Sequence, residues 1–371
     1  MRRVGFIVNS RVPELASLAR GMPPHRLLTG WDDAGSPMSF MRFRALAAAL
    51  RDVTSAPRYE LYRPWRRYAA VVFLKSMGPH CLALARRLRA AGTKVIFEAN
   101  VDYYTRFEGA ARLDAMVPTS QQRADAIAMT AFADGVIGSS RHLTEVCRAY
   151  NPRARWVPDN VDLGLCPTTV QREPFREGRL QVWWSGMAAK LFEFLAAEEA
   201  FLARADRIHL QLVTDDVATA RSRWPAEVRE RFERFLERVP HTFHRFRDVR
   251  GLLELYGAGG VIVSPRFLDT PYNQSHTEWK ITLGMACELP AIASPVPSYI
   301  DAAQRSSSGA IAIAESSAQW LEAFDNLLSD ETALRQAGRA ARNTVSDHYE
   351  TRVVAAQHAA WVSEVCDRET E

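Results

Sequence analysis

Short apolar runs recur along this chain between stretches with helical spacing, and that alternation predicts parallel sheets built from βαβ units. In the first half VGFIV (4–8), AAVVFL (69–74), KVIFEA (94–99), DGVIGS (134–139) and RWVPD (155–159) read as strands. FMRFRALAAALRD, HCLALARRLRAAG and QQRADAIAMTAFA read as helices between them, and Gly92 and Gly135 stand where helices should stop. From Asp162 to Gly178 prolines, glycines and mixed charge replace the periodicity. It restarts with LQVWWS (180–185), HLQLVT (209–214), HTFHRF from 241, GVIVSP (260–265), PAIAS (290–294) and GAIAIA (309–314). The helix EVRERFERFLERV (227–239) keeps Val228, Phe232, Phe235 and Val239 at helical spacing, a core-facing stripe. From Ser316 onward three helices follow one another. The predicted organisation is therefore α/β, with doubly wound domains at 1–162 and 179–348, a linker at 163–178 and a final helical segment at 349–371.

Composition narrows this picture only slightly. With 371 residues, 47% of them apolar, the chain can bury two ordinary cores. A formal charge of +4 is too small to demand nucleic acid as partner, while a local basic patch still admits an anionic membrane. The cysteines at 81, 147, 166, 287 and 366 have no CxxC spacing. They suggest neither a disulfide framework nor a zinc site, so reduced, mostly buried thiols and no metal are expected. No run is long enough to cross a bilayer and the first residues lack a signal-peptide core, so a cytoplasmic protein is expected. The segment RYELYRPWRRY (58–68) mixes arginines with aromatic residues, a composition suited to peripheral contact with the inner face of an anionic membrane, to a lipid-linked acceptor or to nucleic acid.

Candidate chemistry concentrates between Val261 and Asp301, where strand, polar loop (TPYNQSHT), helix (EWKITLGMAC) and strand follow in order. Polar groups thereby collect at the carboxyl ends of parallel strands, where open α/β sheets bind ligands. An anion suits the residues present. Gly186 ends LQVWWS and lets backbone amides approach a phosphate, Lys190 opens the helix KLFEFLAAEEAFLA, and Lys280 lies on the helix after the polar loop. Solvated helix lysines and an ordinary loop histidine at 276 would show the same spacing.

Four segments in order carry a family resemblance: ADGVIGSSRHLTEVCRAYNPRARWVPDNVDL, WWSGMAAK, RDVRGLLELYGAGGVIVSP and KITLGMACELPAIAS. They resemble the GT-B glycosyltransferases, and the second half resembles the retaining glycosyltransferase family 4 group in particular. The resemblance covers most of the chain. It implies two Rossmann-like domains facing across a cleft, with the terminal helix crossing back to the amino-terminal domain and Trp361 packing there. It also implies transfer of a sugar from a nucleotide-sugar donor, held by the second domain, to a hydroxyl on a glycan or lipid-linked glycan held by the first. The implied transfer is retaining and needs no metal or cofactor, the nucleoside diphosphate sugar being a co-substrate, and it serves surface polysaccharide, lipopolysaccharide or other glycoconjugate assembly.

On this resemblance His276, four positions before Lys280, contacts a phosphate or sugar hydroxyl. Asn273, Ser275, Thr277 and Glu278 join Gly186, Lys190 and Lys280 as donor-binding candidates. The family's E-x7-E pair is missing: Ser275 and Leu283 occupy its two positions, and Glu288 stands where a glycine is usual. Glu278 is then the candidate substitute carboxylate for the ribose. On the acceptor side, strand ends offer Asn9, Ser10, Lys75, Ser76, Glu98, Asn100, Asp102, Ser139 and Ser140. Asp102 and Glu98 are the catalytic candidates on this side, because a carboxylate near the reacting hydroxyl accepts or orients its proton, and His276 is the catalytic candidate from the donor side. The departing phosphate could act as that base instead. The missing glutamates favour one alternative, a non-catalytic GT-B protein that binds nucleotide or glycan and supports a partner enzyme. A second alternative, a nucleic-acid glycosyltransferase, is disfavoured by the modest net charge.

Overall fold

A computed structural model of the chain describes residues 2–8, 37–108, 113, 116–167, 172–307 and 309–368; Asn9 and Ser10 lie outside the described residues. The chain divides into two compact units, Met1–Arg106 with Pro118–Asn160 and Thr351–Glu371, and Phe107–Val117 with Val161–Glu350.

The first unit holds β1 (Arg3–Val8), β2 (Arg58–Leu61), β3 (Ala70–Leu74), β4 (Lys94–Ala99), β5 (Gly135–Gly138) and β6 (Ala154–Trp156). They form one parallel sheet in the order β2-β1-β3-β4-β5-β6. Successive side chains alternate between its faces. Val4, Phe6, Leu74, Ile96 and Ile137 pack beneath helix Pro37–Ala49 and the terminal helix Thr351–Asp367, which contributes Val354, Trp361 and Val365. Ile7, Phe73, Val95, Phe97 and Val136 pack on the other face with helices Pro79–Ala90 and Ser120–Phe132. Covering both faces is what makes these strands read as unbroken apolar runs. Strand β6 stops earlier than its sequence suggests because Pro158 has no N–H to donate.

Strand β2 opens the segment read from its arginines as a surface patch. Tyr59, Tyr62 and Tyr68 are buried there and Glu60 pairs with Arg66 at 2.6 Å, leaving Trp65, 67% exposed, as its one outward aromatic ring. Among the described residues no helix is long and apolar enough to cross a membrane, and all five cysteines are free thiols, four of them buried.

The second unit holds β7 (Phe175–Arg176), β8 (Arg179–Ser185), β9 (Ile208–Thr214), β10 (His241–Arg245), β11 (Val261–Ser264), β12 (Ala291–Ala293) and β13 (Ile311–Ile313). The parallel order is β10-β9-β8-β11-β12-β13, with the short β7 antiparallel to β8 inside the stretch read as linker. Leu180, Val182 and Trp184 of β8 pack with Phe192, Phe194, Phe201 and with Phe232 and Phe235 of helix Ala226–Arg238, as the spacing of that helix predicts. Met116 and Leu113 join the same core, which is why residues 107–117 belong with this unit. Both sheets reverse their winding direction once, between β1 and β3 and between β8 and β11. Such a reversal splays the connections apart and opens a crevice at the strands' carboxyl ends.

Of the places where the chain passes between units, those at Asn160–Val161 and Glu350–Thr351 run side by side. Val161 N donates to Tyr349 O at 2.8 Å and Asn160 Nδ2 donates to Thr351 Oγ1 at 3.1 Å.

Candidate functional site

The carboxyl ends of β8 and β11 deliver the residues on either side of the second sheet's switch point. After β8 comes Gly186 and then a ten-residue 3₁₀ segment, Ala188–Ala197, where the sequence suggests an ordinary α-helix through Ala203; the α-helix proper is Glu198–Ala203. In a 3₁₀ turn residues i and i+3 eclipse, so Lys190 and Glu193 lie one above the other. Both are buried, Glu193 completely. After β11 comes Arg266, 4% exposed, whose Nη1 lies 2.9 Å from Glu193 Oε2 and 3.4 Å from Asn273 Oδ1, while its backbone N–H donates to Ser294 Oγ at 2.8 Å.

Lys190 Nζ donates to Tyr272 Oη at 2.9 Å and to His276 Nε2 at 2.7 Å, and sits 4.3 Å from the Tyr272 ring centroid. An ammonium can only donate, so His276 Nε2 accepts and its ring proton resides on Nδ1. The imidazole meets the Tyr272 ring edge-on at 5.0 Å, and Ser298 Oγ holds the His276 carbonyl at 2.6 Å. Burial lowers the Lys190 pKa, with Arg266 adding to the effect and Tyr272 opposing it.

Lys280 differs from its neighbours. Its stem is half-buried, yet Nζ is fully buried and, among the described residues, has no hydrogen-bond partner. It rests 4.3 Å from the Trp184 ring centroid, a cation–π contact, and only 3.1 Å from where a Cβ on Gly186 would stand. Glycine at 186 is what leaves room for this amine. Burial, then the charges of Arg266 and Lys190, hold Lys280 well below the usual lysine range, with Glu193 the opposing charge. Lys190, Lys280 and Arg266 thus face one another with Glu193 as the acid among them, a cluster short of negative charge.

Several donor-side candidates are engaged internally. The Gly186 amide donates to Val213 O at 3.1 Å and the Ala188 amide to Asp215, so both of these amides have partners within the second unit. Asn273 Nδ2 donates to Phe267 O at 2.7 Å, and Ser275 Oγ to Tyr272 O at 3.1 Å, so both brace the loop. Glu278 is 2% exposed and lies against the Tyr349 hydroxyl, whose pKa burial and that carboxylate raise. Thr277 is half-buried. Leu283 is buried in the core of helix Trp279–Ala286, and Glu288 follows that helix at φ 62°, with its N–H on Met285 O and Leu289 N–H on Gly284 O. That is a left-handed helix terminus, where glycine costs least.

The first unit engages both catalytic candidates internally. Glu98, completely buried, pairs with Arg42, which also donates to Pro158 O at 2.5 Å and Val157 O at 3.2 Å and lies 3.4 Å from Asp159. His358 Nε2 is 3.4 Å from Glu98, and Tyr59 Oη is 2.6 Å from His358 Nδ1. Burial pushes the Glu98 carboxyl up, but Arg42 and His358 outweigh it and hold it at about 2. Asp102, 1% exposed, accepts from Tyr104 N, Thr105 N and Thr105 Oγ1 at 2.7–2.9 Å, a turn-capping carboxylate. The structure therefore brings together Gly186, Lys190, His276 and Lys280, and adds Arg266, Glu193, Trp184 and Tyr272, which the sequence reading omitted. Arg266 follows VIVSP at a strand end, and Glu193 interrupts an apolar run; those two signals could have flagged them. Among the described residues no cluster of three or more His, Cys, Asp or Glu side chains is placed to hold a metal.

No protein-family model and no curated protein matches the sequence. Solved structures do match. Anabaena HepE in complex with UDP and glucose is similar over 98% of this chain and 100% of its own, at 13% identity and TM-score 0.65. Sucrose-phosphate synthase from Thermosynechococcus elongatus is similar over 80% and 74%, at 19% identity and TM-score 0.59. A glycosyltransferase from Rickettsia africae is similar over 92% and 85%, at 12% identity and TM-score 0.58. At these identities the likeness bears on fold, and the fold is GT-B: two Rossmann-like parallel-sheet domains with a helical carboxyl-terminal region.

Proposed function

We propose that this chain is a glycosyltransferase that moves a sugar from a nucleoside diphosphate donor to a hydroxyl acceptor. The observation that carries this reading is the buried Lys280 amine, without a hydrogen-bond partner among the described residues, beside Lys190 and Arg266 at the switch point of the second sheet. A buried amine without a partner is costly to the fold, and a diphosphate supplies the missing charge and acceptors. As the glycosidic bond breaks, negative charge grows on the departing diphosphate, and fixed cations in a dry site stabilise that charge more than they stabilise the intact donor. His276, with its proton on Nδ1, adds a neutral donor to the same loop. Lys190, Lys280 and Arg266 supply the positive charge in this reading, so turnover proceeds without a divalent metal; retention of configuration follows from the family resemblance. Glycoconjugate assembly is the corresponding role. Its lipid-linked acceptors would bring Trp65 and the arginines around it to an anionic membrane, and a liposome assay insensitive to anionic lipid removes that part.

HepE is described with UDP and glucose, so UDP is the probe to use. Titration of the full chain with UDP is expected to saturate, to be unchanged by EDTA, and to weaken roughly 10- to 100-fold in Lys280→Met, about 1.4–2.7 kcal/mol. Equal affinity in wild type and variant sinks the proposal. Leu283, buried where the resemblance expects a ribose-binding carboxylate, favours a second reading, a GT-B protein that binds nucleotide without turning it over. Saturable UDP binding with no donor hydrolysis and no transfer selects it.

A further inference from the structure

Two of the buried cysteines meet inside the second unit. Cys166 follows the 3₁₀ turn Leu163–Leu165, and Cys287 caps the carboxyl end of helix Trp279–Ala286, whose first turn carries Lys280. They are far apart along the chain, yet their thiols share a hydrogen bond. Helix Glu331–His348 packs on the same helix and brings cations to this contact. Arg342 donates to Ala286 O and to the Cys166 thiol, Arg172 pairs with Glu288 and lies near both sulfurs, and Arg335 Nη2 donates to Arg172 O at 3.3 Å. The Cys287 proton has two acceptors in reach, the Cys166 sulfur and Leu253 O at 3.6 Å. That proton and the Arg342 guanidinium, against burial, lower the Cys166 pKa, while the same hydrogen bond and burial raise that of Cys287. Burial shifts Cys147 and Cys366 upward instead. A thiol that favours its thiolate beside one that keeps its proton is the arrangement of an attacking and a resolving cysteine.

We propose that Cys166 and Cys287 form a redox-active dithiol, which hydrogen peroxide closes to a disulfide that locks the carboxyl end of helix Trp279–Ala286 to the segment entering the second unit. Cys166, 5% exposed against 2% for Cys287, is the sulfur that the oxidant reaches. Its thiolate attacks one peroxide oxygen, the O–O bond breaks, and hydroxide leaves, taking a proton from solvent to become water. Cys166 is then a sulfenic acid. The Cys287 sulfur attacks the Cys166 sulfur, the S–O bond breaks, and a second water departs with the Cys287 proton. The thiol pair gives up two electrons and the peroxide takes both. Sulfurs already in hydrogen-bond contact need only side-chain rotation to reach bonding distance.

Mass spectrometry of the full reduced chain, treated with hydrogen peroxide, blocked with N-ethylmaleimide and digested without reductant, tests the dithiol. A peptide pair joining Cys166 to Cys287 is expected, with two of the five thiols lost and both restored by dithiothreitol. In Cys287→Ala the reaction should stop at the Cys166 sulfenic acid, which dimedone captures, whereas Cys166→Ala should give no dimedone adduct at Cys287. The melting temperature of the wild type should rise on oxidation and return on reduction, because a cross-link over a long loop restrains the unfolded chain; neither variant should respond. Absence of the cross-link in a chain that circular dichroism shows to be folded overturns the proposal. So does a cross-link through Cys81, Cys147 or Cys366 in place of this pair, or a melting temperature that falls when the bond forms. Both cysteines lie outside the donor cluster, so these results are expected whether or not the chain binds UDP.

Discussion

Each unit buries a cluster of ions, and the two clusters are built on opposite terms. In the first, Arg42 is surrounded by Glu98, Asp159 and two backbone carbonyls, and Glu98 is shared with His358, so every charge is answered. In the second, Lys190, Lys280 and Arg266 share Glu193, and among the described residues the Lys280 amine has no hydrogen-bond partner. Burying a charge is expensive either way. A closed cluster recovers that cost from its own members and fixes the fold; an open one leaves the cost for a ligand to recover. The contrast shows how burial of polar groups can be read for function: the informative quantity is how far each buried group is satisfied.

Breaking the closed cluster should have the largest effect. Glu98→Gln strips the counter-charge from a buried guanidinium and is expected to destabilise the first unit by about 3–5 kcal/mol, measured by urea denaturation. Its pH signature follows from the sign of the shift. The folded carboxyl titrates at about 2, below its unfolded value, so its stabilisation is complete above about pH 4.5 and is lost as pH falls toward 2. The urea midpoint of the wild type should drop through that window, and the Glu98→Gln midpoint should show less of the drop.

The open cluster should respond in the opposite direction. Lys280→Met removes an unanswered amine and is expected to raise stability by about 1–3 kcal/mol in thermal melts while weakening UDP binding. A destabilised Lys280→Met would mean that the amine has an internal role, and the contrast between the clusters would fail. Burial and neighbouring cations shift the folded Lys280 toward the neutral amine, and a bound anion shifts it back toward the charged one. Above the free-state pKa, UDP binding should therefore take up protons and weaken as pH rises, seen by calorimetry in buffers of different ionisation enthalpy. The smallest effect is expected at Glu288. Glu288→Gly relieves a left-handed backbone but loses the pair with Arg172, so stability should change by no more than about 1 kcal/mol.

How much of this was legible beforehand follows from how local each feature is. The buried strands were readable because a sheet covered on both faces demands continuous apolar runs, and the convergence of Lys190 and Lys280 was readable because the segments that follow β8 and β11 meet at the carboxyl edge of one sheet. Strand β2 was missed because RYEL is an edge strand four residues long with an arginine and a glutamate in it, and its buried Tyr59 answers to His358, a partner 299 residues away. The 3₁₀ winding that stacks Lys190 over Glu193, the pairing of Glu193 with Arg266, and the internal use of Glu98 and Asp102 are all set by tertiary contacts, which spacing along a chain does not encode. Glu288 shows the opposite case. Its place at a position usual for glycine was visible in the sequence, and the backbone there is left-handed.

The paired passages at Asn160–Val161 and Glu350–Thr351 bear on how this protein is made. One face of the first sheet is completed by Val354, His358, Trp361 and Val365, so the unit whose first strand leaves the ribosome earliest cannot close until residues 351–367 have been added. The second unit has all its strands and helices in hand by Glu350. Synthesis and completion therefore run in opposite order, and a nascent chain stalled before residue 351 would expose the apolar face that the last helix is meant to cover.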